Sequence, residues 1–114
     1  METAKYEKLT AAGIDVNSAL ERFMGNEMLL DRFLKKFAAD ENYQKLCDAV
    51  EAGKKEEALT ASHTLKGVTG NLSMTSLFDL LTRQVQAFRD DNWQAAADLM
   101  PLITQAYEKV MAVL

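Results

Sequence analysis

The sequence holds one cysteine, one proline and one histidine, only five glycines, and no uninterrupted apolar run longer than Val110 to Leu114. Each scarcity excludes something. A lone Cys47 cannot close an internal disulfide, and its spacing from Tyr43, Leu46 and Val50 suits a small buried thiol on a helix face. An apolar run that short falls far below the roughly 20 residues that span a bilayer, and Met1 to Lys8 is charged, without the apolar stretch of a secretion signal. A cytoplasmic location is therefore expected, with no membrane contact. A catalytic triad or metal cluster needs several imidazole or thiol groups, and only His63 and Cys47 are present. The motifs G-x-G-x-x-G, P-loop, G-x-S-x-G and H-E-x-x-H are all missing, which removes the usual nucleotide-binding, hydrolase and zinc-protease chemistries. Seventeen acidic against thirteen basic residues give a net charge of -4, which offers phosphate backbones no general attraction, so nucleic acid is not an expected partner.

What is present reads as helix. Hydrophobic residues make up 48% of the chain and charged ones 26%, close to the globular average, and 114 residues suffice for one domain over 1–114. Apolar residues recur at a period near 3.6 and β-branched residues never alternate. A short first helix begins at Asp15 as N-cap, with Val16, Ala19, Leu20 and Phe23 on one face and Gly25 at its end. A second starts after Asn26 and carries Leu30, Phe33, Leu34 and Phe37, continuing through Tyr43, Leu46, Cys47 and Val50 to Gly53, with a bend expected over Ala39 to Asn42. A third covers Lys54 to about Leu72 and a fourth Ser76 to about Arg89. The fifth is capped by Asn92 and kinked near Ala97 to Pro101, where the proline removes a backbone donor. Single apolar stripes joined by short connections predict an all-α, up-and-down antiparallel four-helix bundle with a short additional N-terminal helix.

On the third helix, at about 100° per residue from Leu65, the residues Ala58, Ala61, Ser62, Val68, Thr69 and Leu72 fall within roughly 60° and form the core face. His63, Gly67 and Gly70 lie roughly 140 to 200° away and point outward together. Two mid-helix glycines each cost about 1 kcal/mol relative to alanine, which is accounted for if a partner approaches the backbone closely there. Lys66, three residues from His63, can reach a group carried on the imidazole and suits a phosphate. Near neutral pH an exposed imidazole nitrogen keeps a free lone pair and attacks phosphorus without a dedicated base. Leu59 projects about 120° from the core seam, a position suited to an exposed apolar docking patch.

His63-Thr64-Leu65-Lys66-Gly67, followed by Gly70-Asn71, resembles the H-x-L-K-G motif of histidine-containing phosphotransfer (HPt) domains. Gly13-Ile14-Asp15-Val16 with Leu20, Arg22, Phe23 and Gly25 is similar to the start of such domains. The resemblance implies a phosphorelay intermediate in two-component signalling: His63 as the phosphorylated nucleophile, Lys66 as the phosphate helper and Gly67 as the gap over which a receiver closes. It implies response-regulator receiver domains and a hybrid sensor histidine kinase as partners, no cofactor or metal of the chain's own, and Mg²⁺ on the receiver. In related domains a glutamine on the next helix steadies the histidine or its phosphate, and Gln84 and Gln86 flank the corresponding place. Ser73 stands where the family often has glycine. The chain is expected to be a phosphocarrier, not an enzyme, and a monomer. A non-catalytic helical module binding through the same helix surface is the alternative, and a metal or haem bundle would need a second strong ligand.

Overall fold

The computed structural model describes residues 1–114, and all of its regular structure is helical: α1 (Thr3–Ala11), α2 (Val16–Arg22), α3 (Glu27–Ala38), α4 (Asn42–Glu51), α5 (Lys55–Asn71), α6 (Thr75–Arg89), α7 (Trp93–Asp98) and α8 (Met100–Met111). Three of the starts are set by side chains that satisfy otherwise unpaired backbone amides. Asp15 accepts from the Ser18 amide, Asn26 from Leu29 and Asn92 from Ala95, all near 3 Å. Gly25 and Gly53 end α2 and α4 in left-handed conformations, φ 77° and 69°.

Two expected helices are broken where only bends were foreseen. The second divides into α3 and α4 because Asp40 turns back to accept from the Asn42 amide at 2.8 Å, starting a new helix after three non-helical residues. The fifth divides at Leu99 into α7 and α8, with Pro101 in the first turn of α8, where its missing N–H costs least. No helix was expected before Asp15, yet α1 is present. It has no side-chain N-cap and a weak apolar stripe. Tertiary contacts hold it: Leu9 is buried, the Met1 amine lies 3.3 Å from Glu27, and Lys5 Nζ lies 2.7 Å from Asp31.

The molecule measures 43 × 21 × 20 Å. α5 packs between α4 and α6, and α6 in turn packs on α7 and α8. One buried cluster runs from Leu9 to Val110 and takes Leu30, Leu34 and Phe37 from α3, Leu46 from α4, Leu65 from α5, Leu77 and Leu81 from α6, and Ile103 from α8. Cys47 is only half-buried, because α4 turns Leu46 and Ala49 inward instead. Tyr43 stacks on Tyr107 with ring centroids 3.7 Å apart and exchanges a 2.8 Å hydrogen bond with Thr104, tying α4 to α8. No helix is long and apolar enough to cross a membrane.

Gly13 is where the loop before α2 meets the start of α6. Its φ is +89°, and a Cβ there would stand 2.5 Å from Ser76 Oγ. The bare backbone lets the Gly13 carbonyl accept from the Ser76 amide and the Thr75 hydroxyl, at 3.3 and 3.2 Å.

Candidate functional site

The seventeen-residue helix α5 carries the candidate site. Glu56 and Glu57 lie in its first turn, where the helix dipole favours negative charge. Ala58, Ala61, Ser62, Leu65 and Thr69 are buried, and the small side chains at 58, 61 and 62 allow neighbouring helices to approach. Thr64 and Thr69 return their hydroxyls to the carbonyls of Thr60 and Lys66, so neither interrupts the helix.

On the opposite side His63, Thr64 and Gly67 are exposed. A Cβ placed on Gly67 meets nothing within 4 Å, so no intramolecular contact accounts for the glycine. The site is a convex helix surface, and neither of the two largest grooves includes His63 or Lys66. Lys66 is half-buried, with its ammonium 5.9 Å from the centre of the Phe78 ring on α6. At this distance a cation and a ring attract weakly, which holds the chain along the α5–α6 seam.

Four expectations are corrected by the packing. Gly70 is not a second open position, because a Cβ there would stand 3.0 Å from the Phe78 ring, so the glycine serves packing between α5 and α6. Leu59 is half-buried and packs against the core cluster, where a helical wheel of α5 alone leaves it open. Gln84 is fully buried and its amide is engaged at both ends: Oε1 accepts from Ser62 Oγ at 2.8 Å, and Nε2 donates to the Ala96 carbonyl and Met100 Sδ at 3.1 and 3.0 Å. Gln86 is exposed but turned along its own helix to Asp90 at 2.9 Å. Neither glutamine bonds to the imidazole.

Ser73, two residues after the end of α5, has φ 52° and is buried. Its hydroxyl meets Ser18 Oγ at 2.9 Å and accepts from Arg22 Nε at 3.1 Å, while its carbonyl accepts from the Asp15 amide at 2.9 Å. A left-handed residue is needed at this point, which is why glycine also suits it.

Sequence reasoning missed Phe78 and an aromatic groove, and it placed Ser62 on the core face without its partner Gln84. The Phe78 spacing on α6 places it beside the buried stripe, and only the packing of α6 on α5 turns it toward Gly70 and Lys66. The groove, of about 530 Å³, is lined by Arg22, Phe23, Phe33, Lys36, Val68 and Asn71 among others. Phe33, expected inside, is 38% exposed, packs on Phe23 at 5.1 Å and carries Lys36 at 5.0 Å above its ring.

The model of the Hpt domain family matches residues 29–113, most of the chain and all of α4 to α8. The chain belongs to the Hpt domain family. Hpt domains are phosphocarriers in phosphorelay signalling that work by histidine phosphotransfer with receiver domains and kinases. The match begins at Leu29 and leaves out the Gly13 to Gly25 segment. No curated protein and no solved structure matches the chain.

Proposed function

We propose that this Hpt domain is a phosphorelay intermediate that accepts a phosphoryl group on His63 from the aspartate of a receiver domain and passes it to another. The observation carrying this reading is an exposed imidazole on a convex helix, one turn from open backbone at Gly67. A convex surface encloses no small substrate, whereas a partner that brings its own concave active site can close over it. Gly67 gives the distance of closest approach, and Lys66 supplies a cation beside the incoming phosphoryl oxygens.

In the transfer one imidazole nitrogen forms a bond to phosphorus as the bond to the aspartyl oxygen breaks, the aspartate leaves as carboxylate, and the proton lost from the ring passes to water. The reverse sequence loads the next receiver. Such transfer asks mainly for positioning and charge stabilisation, so a rigid helix suffices. Any Mg²⁺ belongs to the receiver. We read residues 1–114 as one monomeric, cytoplasmic domain. In it α3 with α4, α5, α6, and α7 with α8 form the four limbs of an up-and-down bundle, and α2 is the short additional helix.

Incubation with a phosphorylated receiver domain tests the proposal. Acid-labile label should appear on the wild-type chain and be absent from His63→Gln. Label that persists on His63→Gln refutes the assignment, and binding without any label favours the non-catalytic module.

A further inference from the structure

Ser62, immediately before the phosphorylation candidate, and Gln84 are both wholly buried polar residues, and together they form a chain across the core. Ser62 Oγ donates to Gln84 Oε1, and Gln84 Nε2 donates onward to the Ala96 carbonyl and to Met100 Sδ. Every buried side-chain nitrogen and oxygen in the molecule has a partner. The far anchor exists because of the helix break before Pro101. There the Ala96 carbonyl is reached by the Leu99 amide at 3.3 Å in a tightened turn, and the oxygen's remaining lone pair takes the glutamine.

An alanine and a leucine would fill the same space with no polar group to satisfy. A satisfied polar network instead holds its surroundings in one arrangement, since an apolar contact tolerates small rotations that a 2.8 Å hydrogen bond does not. Ser62 and His63 are consecutive on α5, so they leave the helix about 100° apart. A clamp that keeps Ser62 aimed at the core therefore sets the direction in which the imidazole leaves the surface.

We infer that Ser62 and Gln84 are positioning residues for phosphoryl transfer, locking the rotation of α5 so that His63 meets the partner's phosphorus in line. The inference rests on the phosphotransfer reading. It differs from direct support of the histidine, because neither side chain bonds to the imidazole and both act from inside the core.

The test is the double variant Ser62→Ala/Gln84→Leu, which replaces the network by an apolar pair. Three quantities are measured: the melting temperature, the rate at which phosphoramidate labels His63, and transfer from a phosphorylated receiver domain over a range of receiver concentrations. The expected result is a melting temperature at or above wild type. The transfer rate at saturating receiver, taken relative to phosphoramidate labelling, should fall about tenfold, with an unaltered half-saturating concentration. An unchanged ratio overturns the inference, as does a loss confined to the half-saturating concentration. If the double variant melts below wild type, Ser62→Ala alone, which leaves Gln84 bonded to Ala96 and Met100, is judged by the same ratio. Wild-type protein that neither donor labels on His63 overturns the phosphotransfer reading and this inference with it, a result distinct from equal labelling and transfer in both proteins.

Discussion

The two glycines of α5 look alike in the sequence and differ in the structure. Gly67 faces open space, so Gly67→Ala should stabilise the fold by about 1 kcal/mol through helix propensity alone. Gly70→Ala gains less or loses, because the Phe78 ring must yield to the new methyl group. Thermal melts of the two variants check the contrast. Gly67→Gln should fold at least as well as wild type yet exchange no phosphate with a receiver, and a fully active variant would remove the close-approach argument. Lys66→Ala should shorten the lifetime of phosphohistidine formed with phosphoramidate while changing the melting temperature little, since the ammonium makes only a weak contact with Phe78. That His63 points outward and Ser62 inward could be read from a helical wheel. Their neighbours could not, because Phe78 reaches Gly70 only after α6 has packed against α5.

At the scale of helices, ends were more legible than continuity. Asp15, Asn26 and Asn92 cap helices as their side chains suggest, since a cap acts over three residues. Asn92→Ala should therefore cost about 1 kcal/mol, read from denaturant midpoints. The division into α3 and α4 was less legible, because the apolar stripe persists across the Ala39 to Glu41 break. Helix α1 was not legible at all. Its partners, Glu27 and Asp31, lie more than twenty residues away, and the Asp31 hydrogen bond is the main reason the Lys5 ammonium titrates above its ordinary value. Gly13→Ala should destabilise, by strain at φ +89° and by collision with Ser76, and should do so by more than the loss of a cap. Denaturant titration beside Asn92→Ala ranks the two.

For the molecule as a whole the titrating groups set an alkaline limit. Burial raises the Tyr43 and Tyr107 hydroxyls above the ordinary tyrosine value of 10.0, and Lys5 lies above 10.5. A group whose value is raised by folding gives its stabilisation in full below the unfolded value and loses it as pH climbs through the folded one. Stability should thus hold up to about pH 10 and decline beyond it, with the Tyr43 and Tyr107 hydroxyls ionising above the ordinary tyrosine value in an ultraviolet titration. Tyr43→Phe should weaken the decline, at the expense of the Thr104 hydrogen bond.

The sequence by itself determined that the chain is helical, which face of α5 is inward, and that one imidazole and one ammonium share the other, because periodicity and i, i+3 spacing are properties of a single helix. Only the tertiary structure decided that Gly70 lies against Phe78 of α6, that Leu59 packs on the core, that Gln84 lies inside and not beside the histidine, and that Phe33 stays on the surface. Those outcomes depend on which helix lies against which and at what rotation, a choice made by packing between segments distant in the chain.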